Sequence, residues 1–160
     1  MTDAAGKIVD PARAAARAQR ARAAGLRVVL TSGVFDLLEA RHVRLLHAAR
    51  IRGDILLCAV HGDAATRALL GEGRPVLPLA ERMELIAATR GVDVVFPLAS
   101  MDTADAVARV APHVYVAGRE SRLDARRVPH GVAVVEADDP ANDDGDAVAR
   151  ILAADRRTES

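Results

Sequence analysis

The chain has 160 residues, 51% of them apolar, with 22 basic and 22 acidic side chains and a formal net charge of zero. That length and apolar content suit one domain with a real core and argue against disorder. Neutral charge and only three aromatics, Phe35, Phe96 and Tyr115, leave no basic footprint or stacking platform for nucleic acid.

No uninterrupted apolar run reaches the roughly 18 residues a membrane span needs, and the N-terminus lacks the basic-then-apolar pattern of a secretory signal. Cys58 is the single cysteine. It stands in the apolar run Ile55-Leu-Leu-Cys-Ala-Val and reads as a small buried hydrophobe, with no disulfide framework or cysteine metal site. A cytoplasmic location is the expectation. Lys7 is the only lysine and every other cation is arginine, a bias that genome composition explains.

Residues 11–24 predict a leading helix with Pro11 in its first turn and Gly25 as its stop. Arg27 to Thr31 is β-branched and apolar and predicts the first strand. Thr31-Ser-Gly-Val-Phe-Asp36 then reads as a tight turn, and about Ala40 to Arg52 as a helix with Val43, Leu45, Leu46 and Ala49 on or near one face. Gly53 ends it. Asp54 to Val60 is the continuous apolar run of a strand buried on both faces. Ala64 to Leu70 predicts a short helix, and Gly71-Glu-Gly-Arg-Pro75 a loop.

Leu79 to Arg90 predicts a helix closed by Gly91, Val92 to Phe96 a third strand, and Thr103 to Ala111 a helix with Asp102 as N-cap. His113 to Ala117 and Val132 to Glu136 predict the last two strands, Asp143 to Ala154 a final helix, and the last six residues a frayed end. Alternating strands and helices with short connections predict a Rossmann-like α/β fold, a mainly parallel five-stranded sheet with helices on both faces. Its ligand crevice lies beyond the carboxyl ends of the strands, where strand order reverses. A strand, a small-residue turn and a helix N-terminus together present backbone N–H groups to a phosphate.

The stretch from Gly33 to His42 resembles the signature Gly-x-Phe-Asp-x-x-His-x-Gly-His of the cytidylyltransferase-like nucleotidyltransferases. The likeness covers roughly residues 26–154. Its nearest branch is similar to heptose-phosphate adenylyltransferases and glycerol-phosphate cytidylyltransferases. Thr31-Ser-Gly-Val-Phe-Asp-Leu-Leu, His61-Gly-Asp63, Gly71-Glu-Gly-Arg-Pro-Val-Leu-Pro78 with Glu81-Arg82-Met83, Asp93 to Pro97, and Asp102-Thr103 carry it in order. The resemblance implies a HUP-type domain over 26–154; the helix in 1–25 is expected to pack on it, and 155–160 to form the frayed tail.

It also implies transfer of a nucleotidyl group from ATP or CTP to a sugar or polyol phosphate, with release of pyrophosphate and Mg²⁺ as cofactor. His42 is the implied catalytic residue. Ser32, Gly33, Val34, Phe35, Arg74, Arg82, Gly118 and Arg119 are the implied nucleotide or phosphate contacts, and no metal ligand is assigned. Members of the family are often dimers, so a homodimer is expected, without nucleic acid or membrane.

The chain also departs from the signature. Glu39 replaces the first signature histidine, Arg41 the signature glycine, Leu70 a lysine, Ala117 the lysine of a Lys-Gly-Gly-Asp segment, and Asp144-Gly-Asp146 a Ser-Thr-Thr turn. Arg119 is a candidate replacement for the missing lysine, although a guanidinium is not geometrically equivalent to an ammonium. Two readings follow: a nucleotidyltransferase with an altered site, or a catalytically inactive relative that binds a nucleotide or a protein partner. Glu39 either pairs with the helix N-terminus, Arg41 or Arg44, or serves as a metal ligand or base. The acidic stretch Asp138 to Asp146 is either self-capping and solvated or a divalent-cation site. His47, His113 and His130 lack metal-ligand spacing and read as structural or exposed.

Overall fold

A computed structural model describes residues 4–119 and 121–137. The predicted final helix, the acidic stretch from Asp138 and the tail lie outside the described residues. Five strands, β1 (Val28–Gly33), β2 (Ile55–His61), β3 (Val94–Leu98), β4 (Val114–Ala117) and β5 (Ala133–Glu136), form one sheet in the order β3-β2-β1-β4-β5. Every pairing is parallel. The order runs outward from β1 to β3 and then resumes with β4 on the other side of β1, which places the reversal between β1 and β4.

The helices are α1 (Ala4–Lys7), α2 (Pro11–Ala23), α3 (Ala40–Arg50), α4 (Asp63–Leu70), α5 (Leu79–Ala88) and α6 (Ala104–Val110). Two apolar cores flank the sheet. One joins Ala14, Ala18 and Ala21 of α2 and Val107 and Val110 of α6 to Leu30, Leu57, Phe96 and Tyr115. The other joins Leu45, Leu46 and Ala49 of α3 and Ile86 and Ala87 of α5 to Val29, Leu56, Cys58 and Val116. Strands β1 and β2 are buried on both faces, save partly buried Ile55. This accounts for their unbroken apolar runs.

Helix α2 shows how local chemistry sets the layers. The Asp10 carboxylate accepts a hydrogen bond from Arg13 N at 2.8 Å, and Pro11 takes the first turn, where its missing N–H costs nothing. Its buried residues are all alanine, so the helix lies close against the sheet. At its end Gly25 adopts φ +78. Leu26 N donates to Ala21 O and Gly25 N to Arg22 O, both at 2.9 Å, the paired bonds of a Schellman cap. The Arg22 guanidinium then donates to the Val110 and Ala111 carbonyls and covers the end of α6.

The start of α6 differs from the expectation. Thr103 is the cap residue, and Asp102, one position earlier, accepts from Ala104 N at 2.9 Å. Observed elements otherwise shift by one or two residues at their ends, where hydrogen bonding decides. Among the described residues no helix is long and apolar enough to cross a membrane.

Gly53 joins α3 to β2 under tight contact. A Cβ there would lie 2.6 Å from both Arg27 O and Val29 Cγ2. Gly53→Ala is therefore expected to destabilise the protein by about 2 kcal/mol, the scale of overpacking in a dense interior, as read from the midpoint of urea unfolding.

Candidate functional site

The turn after β1 is built from two residues in the left-handed region, Phe35 (φ +53) and Leu37 (φ +58). Each such non-glycine residue costs on the order of 1–3 kcal/mol and persists only where its surroundings impose it. Here they do. The Phe35 ring packs beneath Gly33, where a Cβ would come within 2.9 Å of ring carbon Cζ. Its other neighbour is the His42 imidazole, met edge-on at 5.4 Å between ring centroids.

Asp36, only 3% exposed, anchors the next step. Its carboxylate accepts from Val76 N and Leu77 N at 2.8–3.0 Å and from Arg74 Nε at 2.7 Å. Burial pushes the carboxyl pKa up, but the Leu77 and Val76 amides and the Arg74 guanidinium outweigh it and hold the pKa below its ordinary 3.8.

Helix α3 opens with a capping box between Glu39 and His42. Glu39 N donates to His42 Nδ1 at 2.9 Å. An acceptor Nδ1 carries no hydrogen, so the neutral imidazole has its proton on Nε2, and His42 is an N–H donor there. Glu39 also pairs with Arg41, Nη2 to Oε1 at 3.0 Å, with both side chains largely buried. Of the two readings of Glu39, the structure contains the ion pair.

Beyond the carboxyl ends of β1 and β4 lies a cavity of about 40 Å³ lined by Ser32, Gly33, Phe35, Arg41, His42 and Arg44, with Leu45, Gly118, Arg119 and Ala137 completing the wall. It sits at the reversal of strand order, as the fold predicts. Gly118 lets the end of the Leu45 side chain close on the backbone there, since a Cβ would lie 2.8 Å from Leu45 Cδ2. Of the nine expected site residues, Ser32, Gly33, Phe35, His42, Gly118 and Arg119 are brought together in this lining.

The other three stand elsewhere. Val34 is buried beneath the turn, and its carbonyl accepts from Arg82 Nη1 at 2.6 Å. Arg82 is fully buried. It also donates to His61 O, Leu77 O and Asp63 Oδ1 at 2.7–2.9 Å. Arg74 is held on Asp36. Neither Arg74 nor Arg82, both expected as phosphate contacts, lines this cavity; both brace the turn that does.

Arg41, Arg44 and Leu45 were not among the expected contacts. Their spacing within one helix held the signal, since positions three and four apart share a face. His113, read as structural or exposed, accepts the Val28 N–H on Nδ1 at 2.9 Å. Among the described residues no group of three or more His, Cys, Asp or Glu is placed to hold a metal ion.

The profile of the cytidylyltransferase-like family matches residues 30–139. Among curated relatives, the bifunctional protein HldE of Alkalilimnicola ehrlichii is 46% identical over 105 residues, 66% of this chain and 22% of the relative. That of Halorhodospira halophila is 46% identical over 111 residues, 69% of this chain and 23% of the relative. The chain thus spans less than a quarter of the length of the curated relatives it matches. Among solved structures, a lipopolysaccharide core biosynthesis protein from Thermoplasma volcanium superposes with a TM-score of 0.62 at 24% identity. The match covers 73% of this chain and all of the other, a likeness of fold.

Two substitutions test the braces. Arg82→Met takes a donor from three backbone carbonyls, of which His61 O keeps a long bond from Thr66 Oγ1, and is expected to cost about 3 kcal/mol in denaturant unfolding. Asp36→Asn tests the acid limb. Because the folded pKa of Asp36 lies below 3.8, its ionisation stabilises the fold above the unfolded value and is lost as pH falls through the folded value. The variant is expected to flatten stability against pH below about pH 5, and an unchanged acid limb would refute that assignment.

Proposed function

The chain belongs to the cytidylyltransferase-like family, and from that premise we propose that it transfers a nucleotidyl group from ATP or CTP to a sugar or polyol phosphate, through a phosphate site of altered composition. The observation that carries the reading is the convergence of the β1 turn, His42 and three arginines on one cavity at the reversal of strand order. In this reaction an acceptor phosphate oxygen attacks the α-phosphate and pyrophosphate leaves. The chain supplies position and charge, with no covalent intermediate.

His42 Nε2–H donates to phosphate oxygen. The N-terminus of α3 adds its dipole. Arg41, Arg44 and Arg119 supply guanidinium charge around the cavity, with Arg119 as the candidate substitute for the missing lysine. Magnesium would accompany the triphosphate, neutralising charge. Among the described residues no group of three or more His, Cys, Asp or Glu is placed to hold it.

Glu39 is the departure with the largest electrostatic consequence. A lone carboxylate about 4 Å from a phosphate charge adds repulsion of roughly 4 kcal/mol at an effective dielectric near 20. Arg41 at 3.0 Å offsets that charge. The same pair favours a second reading, a nucleotide-binding or protein-interaction module without turnover, because Arg41 is held by Glu39 at the place where phosphate charge would otherwise recruit it.

Pyrophosphate release with ATP or CTP, Mg²⁺ and a panel of sugar and polyol phosphates separates the two. Turnover that falls by about 10² to 10³ in His42→Ala, the cost of one transition-state donor, is the expected result for the enzyme. No release, with a nucleotide-dependent rise in Tm, is the result for the binding module. Combining Glu39→His, Arg41→Gly and Leu70→Lys is expected to tighten triphosphate binding, and no gain would count against a triphosphate occupying this cavity.

A further inference from the structure

Hydroxyl groups join the floor of the cavity to its mouth. Ser32 Oγ lies 3.1 Å from Thr103 Oγ1 and 2.8 Å from the Tyr115 hydroxyl. That hydroxyl lies 2.6 Å from Ser121 Oγ. Ser32, Thr103 and Tyr115 are all buried. Four hydroxyls in a row need three donated hydrogens and possess four, so every link can be satisfied at once. Burial raises the Tyr115 pKa, and the phenol keeps its proton at neutral pH.

The chain of hydroxyls ends on a turn. Ser121 N donates to Gly118 O at 3.0 Å, closing a loop whose first two residues, Gly118 and Arg119, line the cavity. Thr103 N donates to Arg122 O at 2.8 Å on the far side of the same segment. Strand β4 otherwise reads Val-Tyr-Val-Ala, and the Tyr115 ring packs in the core shared with α2 and α6. The ring needs only to be apolar there. Its hydroxyl is the group that reaches the site.

We propose that the Tyr115 hydroxyl is a positioning group for this cavity, holding Ser32 on its floor and, through Ser121, the turn that carries Arg119 to its mouth. The ligand is a phosphate or pyrophosphate group, and that part rests on the functional reading above. A phenylalanine would keep the ring packing and leave Ser32 and Ser121 without their common partner. The segment that carries Arg119 would then keep only its backbone bonds, Ser121 N to Gly118 O and Thr103 N to Arg122 O.

The test compares Tyr115→Phe and Ser121→Ala with the unaltered chain, each with and without Arg119→Ala. Amide exchange reports the turn, and titration with inorganic pyrophosphate reports the site. Each variant is expected to speed exchange across residues 118–123 about tenfold or more while β1 amides stay protected. Each should also weaken pyrophosphate about fivefold to tenfold, the scale of one hydrogen bond; in the Arg119→Ala background Ser121→Ala should add no loss, and Tyr115→Phe only the smaller part that acts through Ser32.

Unchanged exchange in that segment, or a loss of affinity undiminished by Arg119→Ala, overturns the proposal. If the unaltered chain binds neither pyrophosphate nor nucleotide, the phosphate reading fails, and exchange alone decides the positioning role. Should Tyr115→Phe not fold, Ser121→Ala decides it.

Discussion

A single buried guanidinium ties this end of the sheet together. Arg82 donates to the carbonyls of Val34 after β1, His61 at the end of β2 and Leu77 before α5, and to the carboxylate of Asp63 at the start of α4. Burying such a charge is costly unless every donor finds an acceptor. Here its Nε and both terminal nitrogens do. The Val34 and His61 carbonyls stand where the chain leaves β1 and β2 and the ladder no longer supplies partners, and the Leu77 carbonyl lies in the loop that enters α5. Arg82 therefore fixes how the first two strands end, and hence where the turn carrying Phe35 and Asp36 begins. Asp36 extends the same logic by gathering the Val76 and Leu77 amides and Arg74 under that turn.

Much of this was legible in the sequence, for identifiable reasons. Strands buried on both faces write themselves as apolar runs, so β1 and β2 stood out. Glycines with positive φ, such as Gly25 and Gly91, mark stops because other residues resist that backbone. The turn after β1 was legible as a place where a phosphate would sit, through its small residues and the helix that follows.

The arginines were not legible in the same way. Arg74 and Arg82 look like phosphate ligands in a list of residues, and nothing in their identity says that Arg74 rests on the Asp36 carboxylate or that Arg82 is met by three carbonyls and the Asp63 carboxylate. One clue was present. Leu79, Arg82, Met83 and Ile86 fall on one stripe of α5, so helical period alone puts Arg82 on the inner face. The pairing of Glu39 was readable only as one of two alternatives, because Arg41 two positions on is set opposite it by the cap geometry rather than by helical spacing.

The site's departures from the family signature compensate one another locally. Where the signature has histidine and glycine, this chain has glutamate and arginine, and the two close on each other with no net charge added. The His42 ring is held by the backbone N–H of Glu39, a bond that any residue but proline would supply at that position. The replacement therefore alters the electrostatics of the cavity without disturbing the tautomer of the imidazole.

The hydroxyl row has a consequence for how this protein tolerates change over time. The Tyr115 ring belongs to the core between the sheet and α2 and α6, whereas Phe35 and Leu45 in the cavity wall belong to the core on the opposite face. The row of oxygens thus links the core beneath α2 and α6, through Ser32, to a cavity whose wall is drawn partly from the core on the opposite face. A neutral drift in α6 that tilts the tyrosine ring by a fraction of an ångström would be felt at Ser32 and Ser121. The two cores are not independent: substitutions accepted on one face set which are acceptable at the mouth of the other.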